Sequence, residues 1–134
     1  MDSVSRDKLK QKGFKRLIKS FKYATEGIIY AFKYEQNIIV HTLVMILVII
    51  LGLVLNISYF EWLICLILFG LVIATEMINT SIEAVVDLTC KEINPLAKIA
   101  KDTASGAVLI FALTSVITGL LIFLPKIIDI IKTL

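Results

Sequence analysis

Charge is scarce in this 134-residue sequence: Asp, Glu, Lys and Arg make up 19% of it, against 58% hydrophobic residues. Soluble domains carry about 25% charged and about 45–50% apolar residues, and disordered chains need high charge with low hydrophobicity. Neither class fits. Cysteine is limited to Cys65, inside an apolar run, and Cys90, in a polar segment. They have no metal-ligand spacing, and no disulfide framework is expected. No signal peptide is expected either, because the first apolar run begins only after residue 35 and lacks a small-residue cleavage site. No Gly-Lys pair occurs, which excludes a P-loop, and no H-R-D or D-F-G triplet, which excludes the protein-kinase machinery. Any nucleotide must be held in another way.

What is present is grease in long runs, with a mean hydropathy of +0.91. Gln36–Phe60, Trp62–Thr75 and Thr103–Pro125 carry no charge, and the second run continues in a helix-compatible pattern through Asp87. A membrane-spanning helix needs about 20 predominantly apolar residues. The first and third runs qualify outright, and the second qualifies if Glu76 lies in the membrane or at its edge. The expectation is an all-α integral membrane protein of one domain, residues 1–134. A surface-helix region over 1–35 precedes spans at about 36–57, 62–87 and 102–124.

The net charge is +3, but the cations crowd at one end rather than alternating with aromatics over a folded surface, so no nucleic-acid partner is expected. Nine of the fourteen Lys and Arg residues precede the first span, from Arg6, Lys8, Lys10 and Lys12 to Lys33; the Asn56–Glu61 connection has none. The positive-inside rule then puts the N-terminus and the second connection in the cytoplasm and the C-terminus outside, with Tyr59, Phe60 and Trp62 as an aromatic belt at the outer interface. Phe14, Leu17, Ile18, Phe21, Ile28, Ile29 and Phe32 fall on one helical stripe, opposite Arg16, Lys19, Tyr23, Glu26, Tyr30 and Lys33. That is the pattern of an amphipathic helix lying on the inner surface among membrane lipids.

The chemistry concentrates in Glu76–Asp87. At about 100° per residue, Glu76, Asn79, Glu83 and Asp87 share one stripe of a helix whose other faces are apolar. A carboxylate inside a membrane is costly and marks a functional site by default; helix–helix bonding, or ion pairs with Lys101 and Arg16, is the blander account. Lys98, Lys101 and Asp102 precede the third span, and alone they read as interfacial anchors. Opposite the carboxylate stripe they form a set suited to a metal–phosphate, with carboxylates for Mg²⁺ and lysine for phosphate oxygens. His41, near the start of the first span, reads as an interfacial polar residue. A proton-coupled transporter or assembly subunit, with Glu76 carrying the ion, is the alternative from a different class.

Glu76-x-x-Asn79-x-x-x-Glu83-Ala84-Val85-Val86-Asp87, followed by Ala100-Lys101-Asp102 and Gly106-Ala107-Val108, resembles the prokaryotic diacylglycerol kinase family from about Phe14 to Ile122. The resemblance implies a multi-pass lipid kinase of the bacterial inner membrane, with ATP as donor, Mg²⁺ as cofactor, a lipid alcohol as acceptor, and a homotrimer whose active sites are shared between protomers. It implies Glu76 as proton acceptor, with Asn79 and Asp87 as its polar support. Glu35 and Glu83 are implied as Mg²⁺ ligands. Arg16, Tyr23, Glu35, Glu83, Glu92, Lys101 and Asp102 would hold ATP, while Arg16, Trp62, Glu76 and Ser105 would meet the lipid. Many members carry Glu-Tyr-His where this chain has Glu92-Ile93-Asn94, so contacts from that tyrosine and histidine are not carried over. His41 and Pro95-Leu96-Ala97-Lys98 look like the undecaprenol kinase branch; diacylglycerol is the alternative substrate.

Overall fold

The computed structural model describes residues 14–133, and Arg6, Lys8, Lys10 and Lys12 lie outside them. The described residues form four helices: α1 Phe14–Tyr34, α2 Gln36–Val54, α3 Tyr59–Thr89 and α4 Pro95–Thr133. The helix α1 belongs to a compact unit that ends at Tyr34; α2, α3 and α4 form a second, which opens at Glu35. On α1 the expected apolar stripe is exposed from Leu17 and Phe21 to Ile29.

The three helices of the second unit are each long and apolar enough to cross a membrane. Their surfaces are those of a protein dissolved in lipid. Large side chains such as Leu43, Leu53, Leu66, Ile110 and Leu121 are more than half exposed, while the charged Glu76 and the polar Asn79 are buried. Apolar faces turned outward gain nothing in water but are at home among acyl chains.

Helix lengths exceed the apolar runs. The 31 residues of α3 and the 39 of α4 extend about 46 and 58 Å at about 1.5 Å per residue, against a hydrocarbon core of about 30 Å. Helix α3 begins at Tyr59, and α4 begins at Pro95 and continues through Pro125, so both helices extend beyond the spans expected at about 62–87 and 102–124. Proline at a first helical position costs no hydrogen bond. At Pro125 the missing N–H leaves the Leu121 carbonyl without its helical donor, a loss that membrane helices tolerate.

Local sequence encodes the α2–α3 connection. Asn56 takes the left-handed conformation, φ 48°, and the Ile57 N–H donates to the Gly52 carbonyl at 3.1 Å. This is a Schellman ending, with asparagine where glycine is commonest. Ser58 then caps α3: its N–H donates to Glu61 Oε2 at 2.6 Å, and the Glu61 N–H donates to Ser58 Oγ at 3.4 Å, a capping box. Ile57 is buried in a cluster with Cys65, Ile122 and Phe123, and Trp62 packs against that cluster. Lys126 reaches Glu61 Oε2 at 3.3 Å and ties the end of α4 to the start of α3.

Gly52 permits this closure. A Cβ there would stand 2.8 Å from the Trp62 ring and 3.1 Å from Ile57 Cδ1. Gly52→Ala is expected to destabilise the protein by about 1–3 kcal/mol through overpacking, read as a lower thermal midpoint in detergent micelles. An unchanged midpoint would mean that the indole moves aside freely.

Candidate active site

The polar stripe of α3 becomes a site because α2 and α4 close over it. Asn37 and His41 from α2, Glu76 and Asn79 from α3, and Ser105 from α4 line a pocket of about 340 Å³, completed by Val40, Val108, Leu109 and Ala112. Glu76 is 2% exposed. Its Oε1 stands 3.1 Å from His41 Nε2, so an ionised Glu76 accepts a hydrogen bond from the imidazole N–H. One turn towards the end of α3, Asn79 Nδ2 donates to Glu83 Oε1 at 3.1 Å. Among the described residues the buried Asn79 Oδ1 then has no partner; it is an acceptor in the pocket wall, where an unmet polar group costs about 1–3 kcal/mol. Elsewhere on α4, Thr114 and Ser115 spend their hydroxyls on their own helix, donating to the Ile110 and Phe111 carbonyls. Ser105 makes no such bond among the described residues.

A second cavity, of about 490 Å³ and almost wholly apolar, shares Val40, His41 and Ala112 with the polar pocket. It follows all three helices away from Glu76, past Val72 and Ser115 to Phe123 and Ile127. Val40, His41 and Ala112 thus border both a polar chamber and an apolar one. Such a shape suits a ligand with one polar end and a long hydrocarbon body.

The far side of Glu83 is charged and wet. Asp87 Oδ1 accepts from Lys101 Nζ at 2.8 Å, bridging α3 to α4. Asp102 Oδ2 accepts from Lys98 Nζ at 2.6 Å, within α4. Both lysines precede the charge-free run from Thr103, and hydrogen bonds to Asp87 and Asp102 raise their pKa values, so both stay cationic at neutral pH. Exposed pairs of this kind contribute at most about 1 kcal/mol. Lys101→Gln is accordingly expected to leave the thermal midpoint within a few degrees, while weakening nucleotide binding. A large drop in midpoint would make the bridge structural instead.

The remaining expected residues are spread further. Glu35 is the half-buried residue before α2, and Glu92 is exposed in the α3–α4 connection. Arg16 and Tyr23 are exposed on α1, seven residues apart and so on one face of that helix. Trp62 lies fourteen residues before Glu76, about 21 Å along α3, and packs against Gly52 rather than in the polar pocket. Among the described residues no three His, Cys, Asp or Glu side chains gather as a metal cage. The donor set fits a metal that arrives with phosphates: Mg²⁺ takes one or two carboxylates and fills its remaining positions with phosphate and water oxygens. Glu83, with one oxygen held by Asn79, is oriented to supply such a carboxylate. Asn37 escaped the sequence reading, and His41, read there as an interfacial polar residue, lines the pocket. Asn37 has no periodic signal of its own, and the role of His41 depends on a contact across 35 residues of chain.

The model of the family described as prokaryotic diacylglycerol kinase matches residues 22–123. The undecaprenol kinase of Bacillus subtilis is 45% identical over 111 residues, covering 83% of this chain and 90% of that protein. A diacylglycerol kinase of Synechocystis is 39% identical over 114 residues, 84% of this chain and 65% of its own length. One from Helicobacter pylori is 40% identical over 101 residues, 75% of this chain and 79% of its own.

Proposed function

From the premise that this chain belongs to the prokaryotic diacylglycerol kinase family, and is therefore a multi-pass membrane lipid kinase, we propose that it transfers the γ-phosphoryl group of ATP to undecaprenol. The enzyme class removes the transporter alternative. The observation that carries the choice of lipid is the 45% identity over 90% of an undecaprenol kinase, against 32–40% for the diacylglycerol kinases. A polar chamber and an apolar cavity that share His41 as a wall support a long-tailed alcohol, its hydroxyl beside Glu76 and its hydrocarbon towards the apolar cavity.

In this reading Glu76 accepts the hydroxyl proton. The oxygen forms a bond to the γ-phosphorus, and the bond to the bridging oxygen breaks, its electron pair leaving with ADP. Its place in the polar pocket, 2% exposed, suits Glu76 to the task, because a general base must stand within hydrogen-bond reach of the proton it takes. Asn79 orients Glu83 and offers its unpartnered Oδ1 to a donor in the pocket. Glu83 and Glu35 would hold Mg²⁺, which would supply neutralisation of phosphate charge. Lys101 and Asp102, with Asp87 holding Lys101, would hold nucleotide at the aqueous edge, aided by Glu92; Arg16 and Tyr23 of α1 are ATP contacts on the family resemblance alone. Alignment and charge neutralisation are most of what phosphoryl transfer requires.

The cation-rich N-terminal third supports a cytoplasmic N-terminus and an external C-terminus in the bacterial inner membrane, with α1 lying on its inner surface. Membership of the family supports a homotrimer in which a neighbour supplies further walls for the nucleotide, since three spans alone offer few. Transfer from γ-labelled ATP in micelles, with undecaprenol and diacylglycerol side by side, tests the substrate. Preference for undecaprenol is the expected result, and preference for diacylglycerol would replace it.

A further inference from the structure

We propose that His41 is a positioning residue for Glu76, fixing which carboxylate oxygen meets the substrate hydroxyl. The inference rests on the reading of Glu76 as the proton acceptor. Glu76 is 2% exposed, and its recorded side-chain partner is the His41 ring, Nε2 to Oε1 at 3.1 Å. A terminal carboxylate turns about a broad torsion with little intrinsic preference. Asn37, Asn79 and Ser105 also line the pocket, but among the described residues none of them bonds to Glu76, so the imidazole is what holds its plane. With Oε1 anchored by the imidazole N–H, Oε2 is the oxygen left to take a proton. An anchored base keeps its alignment through the reaction, whereas a rotating one must be realigned at each turnover.

The location of His41 adds a second reason. It lines both the polar pocket and the apolar cavity, with its side chain 24% exposed. It therefore stands where an alcohol head gives way to a hydrocarbon tail, and the group that aims the base also borders the bond being presented to it. A histidine that served only to staple α2 to α3 would have no reason to sit at that junction. The imidazole neither gains nor loses a proton in the proposed step: it donates to Oε1 while the hydroxyl proton passes to Oε2.

Two amide variants separate the hydrogen bond from mere polarity. Gln carries its amide nitrogen near the reach of Nε2, whereas Asn reaches only as far as Nδ1. In the full-length protein in micelles, His41→Gln is expected to keep kcat within a few-fold, and His41→Asn to lower it about 10–100-fold. The KM for Mg-ATP should stay within twofold in both, with thermal midpoints alike. Equal kcat for Asn and wild type, equal loss in Asn and Gln, or a loss that follows the thermal midpoint would each overturn the proposal. Glu76→Gln, run beside them, separates the two readings. If it abolishes turnover while His41→Asn is fully active, only the histidine assignment falls; if it is active, the base assignment falls first.

Discussion

Glu76→Gln is expected to cut turnover by about 10²–10⁴-fold, the range attributable to a positioned general base, while Mg-ATP still binds. The substitution preserves shape and removes only the capacity to accept a proton. Glu76 lies in the pocket formed by α2, α3 and α4, whereas the exposed charge pairs of Asp87 with Lys101 and Asp102 with Lys98 lie further along, so nucleotide affinity has no cause to change. Nucleotide titration and single-turnover transfer on the same preparation measure the two quantities separately. Retained turnover would remove Glu76 from the chemistry.

A different signature is expected for Glu83→Gln. Its Oε1 is held by Asn79 Nδ2 at 3.1 Å, an arrangement that aims the rest of the carboxylate and that a glutamine can imitate in shape but not in charge. The Mg²⁺ concentration for half-maximal activity should rise at least about tenfold, since disturbing even the groups behind a metal ligand costs about 10–100-fold in affinity. Excess Mg²⁺ should restore part of the turnover, as it should not for Glu76→Gln. An unchanged Mg²⁺ titration would take Glu83 out of the metal site.

The three spans and the polar stripe of α3 are legible in the sequence because both are periodic or compositional. Lipid as solvent demands uninterrupted apolar residues, and helical spacing alone puts Glu76, Asn79 and Glu83 on one side. Helix ends are less legible. Hydropathy registers where lipid stops, but backbone hydrogen bonding carries α3 to Thr89 and starts α4 at Pro95, well into polar sequence. The Ser58–Glu61 capping box was readable in principle from its serine and glutamate three apart. The pairing of His41 with Glu76 was not, because a lone histidine has no period and its partner is chosen by how α2 and α3 pack.

That pairing also bears on how the chain enters the bilayer. Glu76 must leave water during synthesis, and its partner lies on the helix made before it. The tight Asn56–Ser58 connection would let α2 and α3 enter as one hairpin, and the carboxylate would then have its hydrogen-bond donor on the segment inserted with it. Helix α4, which brings Ser105, is needed later, to finish the chamber rather than to make the charge tolerable. The order of residues along the chain thus matches the order in which the cost of burying that carboxylate has to be met.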